Sequence, residues 1–249
     1  MTAISTKDLE RPERLLVIVA HPDDAEFQAG ATLAKWSRLG SEVHHLVLTD
    51  GSKGTWDPEA DPKELIESRK AEQRAAALAL GATGEVHFLG LVDGELTGSR
   101  SEIALVAEVI RRVRPNAVLG HDPWRRYRLH PDHRRAGELC IEGIVAARDP
   151  MFFREQLVDG LEPHRPSALL LFEADVANHA EEVSEVDLQQ RIAALEAFQS
   201  QLETTHFYGL DPEEKVAQFR SQQRDRLTSA GATLGVPMAE LFHLITDQL

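Results

Sequence analysis

Apolar and polar positions along the chain fall into two alternating regimes, short apolar runs of strand character and longer stretches with helical periodicity. Leu15 to Ala20 has no polar alternation, which predicts a strand buried on both faces, as in a parallel sheet. Strand pairing stops at Pro22, whose ring removes a ladder N–H. Ala29 to Leu39 has helical composition and closes on Gly40, a natural C-cap. Val43 to Thr49 predicts a second strand, Ser52 to Pro62 a polar loop, and Lys63 to Leu80 a helix ending at Gly81. Val86 to Leu89 is a third strand. Ile103, Val106, Ile110 and Val113 mark the apolar stripe of a helix over Ser101 to Arg114, which Pro115 ends. Ala117 to Leu119 and Leu169 to Phe172 are further strands, and Val186 to Leu202 and Pro212 to Ala230 further helices. Strands alternating with helices predict an α/β fold, a Rossmann-like and mostly parallel sheet flanked by helices.

The chemistry is concentrated where two of these strands end. The first run delivers His21, Asp23, Asp24 and Glu26 together; in open α/β sheets ligands sit at that carboxyl edge. The short strand 117–119 leads into Gly120-His-Asp-Pro-Trp-Arg-Arg-Tyr-Arg-Leu-His-Pro-Asp-His133, placing His130 and His133 at the start of the next helix and at the same edge. A catalytic zinc takes three N or O ligands and keeps a position open for water. One His and one Asp from the first loop with one His from the second would supply that set, leaving a carboxylate as base and an imidazole as proton donor. The competing reading is two unrelated helix starts with Asp23 and Asp24 as local caps.

Bulk properties narrow the function classes. A formal net charge of −14 over 249 residues argues against non-specific binding to nucleic acid or to anionic membranes. No apolar run approaches the ~20 residues that span a bilayer, and the polar stretch Met1 to Arg14 lacks the apolar centre of a signal peptide. The single cysteine, Cys140, between Leu139 and Ile141, reads as a buried packing residue compatible with a reducing cytoplasm, the expected location. A homo-oligomer is compatible with the sequence.

Ala20-His-Pro-Asp-Asp-Ala-Glu26 and His130-Pro-Asp-His133 resemble the two signature motifs of the PIG-L/LmbE-like family of zinc-dependent de-N-acetylases. Arg69-x-x-Glu72, Leu91-Val-Asp-Gly94 and Ser200-Gln201 also fit that pattern. The resemblance covers about Arg14 to Gln201 of what is expected to be a single domain over 1–249, leaving 202–249 as a C-terminal helical region. It implies a Zn²⁺ site, with Fe²⁺ as an alternative, formed by His21, Asp24 and His133. By the same resemblance Asp23 is the general base, His130 the acid that stabilises the intermediate or protonates the amine, and Arg69 a substrate contact. The expected activity is removal of an N-acyl group, acetyl in the family, from a small amino-sugar-like molecule. A metal-dependent hydratase or lyase acting on a carboxylated substrate, and a metal-binding interaction protein with a degenerate site, are the alternatives.

The chain departs from the family pattern in several places. Ala25 stands where the family usually has Glu, Tyr127 lies three rather than two residues before His130, and Phe198 replaces a late histidine. His121 and Asp122 are candidates for orienting a ligand imidazole. Glu173 and Asp175 read as solvated loop carboxylates. Arg125, Arg126 and Arg128 next to Trp124 and Tyr127 suggest a binding place for an anionic group of the substrate, Arg128 foremost, or else ion pairs with the protein's own carboxylates.

Overall fold

The apolar runs assemble into one eight-stranded sheet in the computed structural model, which describes residues 4–158, 160–247 and 249. In chain order the elements are β1 (Thr6–Lys7), β2 (Arg14–Val19), α1 (Asp24–Arg38), β3 (Glu42–Thr49), α2 (Pro62–Ala79), β4 (Val86–Leu91), α3 (Arg100–Val113) and β5 (Ala117–His121). There follow α4 (Pro131–Arg148), α5 (Arg154–Val158), β6 (Ala168–Phe172), β7 (His179–Glu182), α6 (Glu185–Glu196), α7 (Lys215–Ala232) and β8 (Ala239–Ile245). The strand order is β1-β7-β8-β6-β5-β2-β3-β4, with β8 antiparallel to both neighbours and the other pairs parallel.

Strand β2 explains why a continuous apolar run was required. Leu16 and Ile18 pack with Val106, Ile110, Leu139 and Ile144 of α3 and α4, whereas Leu15, Val17 and Val19 pack with Leu33, Trp36 and Phe198 on the opposite face. Two-sided burial leaves no place for polar alternation. β2 has β3 on one side and β5 on the other, and the chain runs from β2 to β3 first. The sheet therefore reverses its winding between β2 and β5, and the crevice outside their carboxyl ends is the place where such sheets bind ligands.

Three sequence expectations need correction. The helix read over 186–202 stops at Glu196, and the segment after it is held on α2, where Ser200 donates from both N and Oγ to the Glu72 carboxylate (2.8 and 2.6 Å). The chain then passes through a 3₁₀ turn, Gln199–Gln201, and a π turn, Leu202–His206. The helix read from Pro212 begins at Lys215. The region 202–249 is not helical throughout: β8 runs between β6 and β7 inside the sheet. Glu240 interrupts its apolar run, and the carboxylate is matched only by distant partners, Arg191 Nη1 at 2.6 Å and the N–H groups of Ala31 and Thr32 at 3.2 and 2.7 Å.

Those contacts fall on a kink in α1, where Ala29 leaves helical geometry (φ −141°, ψ 15°). Glu240 accepts from the N–H groups just past the kink, and Arg191 Nη2 donates to the Phe27 carbonyl just before it (2.9 Å). Gly30 makes room: a Cβ there would lie 2.9 Å from Arg191 Cγ. Cys140 is fully buried, as expected. Among the described residues no helix is long and apolar enough to cross a membrane.

Candidate active site

Three loops meet at the crevice, after β2, after β4 and after β5. The first begins at His21 and places Asp23 in a left-handed conformation (φ 95°, ψ −25°) immediately before α1. A residue with a Cβ held there costs about 1–3 kcal/mol, so the surroundings must impose it. They do so through the backbone: the Asp23 N–H donates to Gln73 Oε1 (3.0 Å), and the Arg69 guanidinium donates to Pro22 O (2.7 Å) and Gly51 O (3.1 Å). Gln73 is itself held by donating Nε2 to the buried Glu26 carboxylate (2.8 Å). Gly54 is a glycine because any Cβ would collide with the same guanidinium.

Neither aspartate serves as a helix cap. Asp23 makes no side-chain capping bond, and Asp24 Oδ2 turns back to accept from the His21 N–H (2.8 Å). Asp24 Oδ2 also lies 3.3 Å from His21 Nδ1, while Oδ1 lies 3.2 Å from His133 Nε2. The adjacent carboxylates diverge: Asp24 points into the imidazoles, and Asp23 lines the cavity with Arg69 Nη2 3.6 Å from its oxygen.

His130 and His133 stand one turn apart at the start of α4, their rings stacked with centroids 4.7 Å apart, and the His21 ring lies 4.6 Å from His130 and 5.2 Å from His133. His130 Nδ1 accepts from the Asp132 N–H (3.3 Å). The neutral ring therefore carries its proton on Nε2. His121, the last residue of β5, is fully buried, stacks on His133 at 4.6 Å and sits 3.4 Å from Asp24 Oδ2. Asp122 instead accepts from the Trp124 N–H (2.9 Å).

Sequence reasoning left Asp93 and Asp132 without a role, yet both reach His21 Nε2, at 3.1 and 3.4 Å. Asp132 lies inside the His-Pro-Asp-His motif and Asp93 in the loop after a parallel strand, so the sheet-edge rule carried a signal for each.

Charge follows from this crowding. Burial drives the Asp23 carboxyl up to about 7, Arg69 opposing and Asp24 assisting. Burial also works against an ionised Asp24, but His133 and His121 prevail and hold it well below the usual carboxylate range. Burial disfavours a charged His21, yet Asp132, Asp24 and Asp93 together raise its affinity for a proton well above normal. Burial, His21 and His133 lower that of His130.

Three carboxylates around one imidazole attract positive charge, and a divalent cation answers the same attraction as a proton. Three groups of side chains here offer ligand atoms within 4.8 Å of one another: His21, His130 and His133; Asp24, His121 and His133; His21, Asp93 and Asp132. A mixed N and O donor set of this kind fits a divalent transition metal. Of the trio singled out from the sequence, Asp24 touches both His21 (3.3 Å) and His133 (3.2 Å), each through a different oxygen, and no one of the three groups holds all three residues.

Beside the cluster lies a cavity of about 450 Å³ that Asp23, Lys53, Arg69, His130 and Gln201 help to line. Arg69 lines it and at the same time braces two backbone carbonyls. Arg128 is placed differently. Its Nη1 donates to Glu173 Oε2 (2.5 Å) and touches Nδ1 of His121 and His133 (3.4 Å each), on the side of His133 away from Asp24. Arg125 pairs with Glu173 Oε1 (2.6 Å) and Arg126 with Asp175 (3.3 Å), so each of the three arginines meets a carboxylate of the chain. Glu173 is correspondingly not a solvated loop group: it is mostly buried, and its carboxyl is held at about 2 against the effect of burial by His121, Arg128 and Arg125.

The comparisons with known proteins agree with this geometry. The PIG-L family model, described as GlcNAc-PI de-N-acetylase, matches residues 16–144. The chain is 38% identical over 189 residues to the diacetylchitobiose deacetylase of Thermococcus kodakarensis, covering 76% of this chain and 70% of that one. It is 32% identical to the 1D-myo-inositol 2-acetamido-2-deoxy-alpha-D-glucopyranoside deacetylase of Kineococcus radiotolerans, over 57% of this chain and about half (48%) of that protein. Among solved structures, N,N'-diacetylchitobiose deacetylase from Pyrococcus horikoshii superposes with a TM-score of 0.83 at 29% identity, covering 94% of this chain and 84% of the other. The match runs through all three loops that meet at the crevice, from β2 into α4, and on that ground the chain belongs to the PIG-L family of de-N-acetylases and is an amidohydrolase.

Proposed function

We propose that the protein removes the acetyl group from an N-acetylated amino sugar by attack of water on the amide, with Zn²⁺ bound by His21, Asp24 and His133 and Fe²⁺ as the alternative ion. The observation that carries this reading is the divergence of the two adjacent aspartates, one among the imidazoles and one free toward the cavity. When bound, the ion supplies Lewis acidity to the acyl oxygen and lowers the pKa of water in the site. Asp23, facing the cavity, takes the proton of the attacking water. His130, a neutral ring with its proton on Nε2 at the cavity wall, donates a hydrogen bond to the developing oxyanion, and the proton that Asp23 took from the water passes to the departing amine. Arg69 holds the Asp23 loop in place and offers its guanidinium edge to the sugar.

With Arg125, Arg126 and Arg128 engaged by Glu173 and Asp175, a neutral sugar is favoured over an anionic one. The hydratase reading is not favoured, since the relatives named above are deacetylases. Burial of the free Cys140, whose thiol it pushes up to about 12, is compatible with the cytoplasmic location proposed.

The test combines metal analysis with acetate release from N,N'-diacetylchitobiose. Wild-type protein should carry about one zinc per chain and release acetate. Asp23→Asn should keep the metal and lose about 10²–10⁴-fold in kcat, and His133→Ala should lose the metal. Loss of metal in Asp23→Asn with retention in Asp24→Asn would reverse the two assignments. Metal-replete wild-type protein that releases no acetate would refute the activity.

A further inference from the structure

Two large aromatic side chains stand in solvent on the segments that form one wall of the cavity. Trp56 is 65% exposed in the loop after β3, and Tyr208 is 71% exposed just past the π turn. They belong to distant parts of the sequence, yet their rings meet edge to face with centroids 5.5 Å apart and an interplanar angle of 79°. The supporting segments are tied together beneath them: buried Gln201 donates Nε2 to the Gly54 carbonyl (2.9 Å). Gly54, Gln201 and Thr205 all line the cavity, so Trp56 stands two residues, and Tyr208 three, from lining positions of the same wall.

An exposed aromatic pair excludes little water by itself, and an edge-to-face contact leaves ring surface uncovered. The hydrophilic loop around Trp56 contains Asp57, Glu59 and Asp61, which disfavour an anionic ligand. A neutral pyranose suits such a platform, because one of its faces presents C–H groups to an aromatic ring while its hydroxyls remain in water.

We infer that Trp56 and Tyr208 form a stacking platform for a second sugar ring, the one attached to the N-acetylated residue whose amide lies among His21, Asp23 and His130. The inference rests on the deacetylase reading and deepens it: an N-acetylated disaccharide or longer saccharide is bound in preference to a lone monosaccharide.

Kinetics with N,N'-diacetylchitobiose and N-acetylglucosamine test it through the ratio of their KM values. Trp56→Ala and Tyr208→Ala should each raise the ratio of disaccharide to monosaccharide KM by about five- to tenfold, since the lost contact reaches only the second ring. An unchanged ratio overturns the proposal, as does a variant whose oligomeric size changes while the ratio stays fixed.

Fluorescence decides the matter independently of turnover. In a Trp124→Phe background Trp56 is the exposed indole and Trp36 is fully buried. Chitobiose lacking its acetyl groups should then shift the emission to shorter wavelength in a saturable way, and Tyr208→Ala should weaken that response. Absence of any shift overturns the platform even where acetate is released. A saturable shift in a protein that releases no acetate from either sugar supports the platform and rejects the deacetylase reading alone.

Discussion

Arg191→Met tests the tertiary support of the site most severely. Arg191 is fully buried and Glu240 is 5% exposed; the pair meets at 2.6 Å and serves both sides of the α1 kink. Methionine retains much of the volume but removes the donors to Glu240, to the Phe27 carbonyl and to Gln223 Oε1. What remains is a buried carboxylate with two backbone N–H groups and no counter-charge. Breaking a buried pair on one side costs about 3–5 kcal/mol, a fifth or more of the about 5–15 kcal/mol that holds a typical domain together. For a chain of this size that is a fall in Tm of about 10 °C. Urea titration of Arg191→Met should give the free energy directly, alongside Arg220→Ala as an exposed control. Arg220 also meets a carboxylate, Glu196, at 2.6 Å, but its side chain is 54% exposed, and its loss should cost under about 1 kcal/mol. Adding Glu240→Gln to Arg191→Met removes the stranded charge while keeping an acceptor for Ala31 and Thr32, and should recover part of the loss. A cost for Arg191→Met no greater than that of Arg220→Ala, or a double variant weaker than Arg191→Met by the full effect of Glu240→Gln alone, would refute the argument.

Two further outcomes follow from buried polar groups near the cavity. Gln73→Met leaves the Asp23 N–H and the Glu26 carboxylate without their shared partner, at about 2–3 kcal/mol, and frees Asp23 from its left-handed conformation; kcat should fall at least about tenfold with metal content retained, and unchanged kcat and stability would remove Gln73 from this role. His206 lies among Phe27, Phe198 and Phe219, where burial pulls it down to about 4. The unfolded chain, protonating near 6.5, therefore binds the proton first, so stability is full above about pH 6.5 and falls toward pH 4. At about 1.4 kcal/mol per tenfold change in proton affinity, the loss is bounded at about 3 kcal/mol, and a wild-type stability profile parallel to that of His206→Phe over this window would contradict it.

Much of the site was legible in the sequence because the information is local. A two-faced strand announces itself as an unbroken apolar run, and Pro22 and Pro131 mark where β2 ends and α4 begins. His21, Asp24, His130 and His133 follow such signals directly, and parallel strands bring their carboxyl ends to one edge whatever the side chains are. Asp93, Asp132 and His121 were legible only as positions at that edge; their distances to His21 and Asp24 depend on how three loops pack.

Which partner each charged group meets was not legible. For Arg128 the sequence offered a substrate anion or a carboxylate of the chain as partner, and only the fold brings Glu173 to it from the end of β6, 45 residues away. Glu240 reads as a break in an apolar run until β8 enters the sheet and meets Arg191 and α1. Asp23 carries no sequence mark of its left-handed backbone, which Gln73 and Arg69 impose from α2. Hydrophobic periodicity is written residue by residue, since burial of one face selects it at every turn. Compensation of a buried charge needs only one partner anywhere in the chain, so only the tertiary structure decides which residue supplies it.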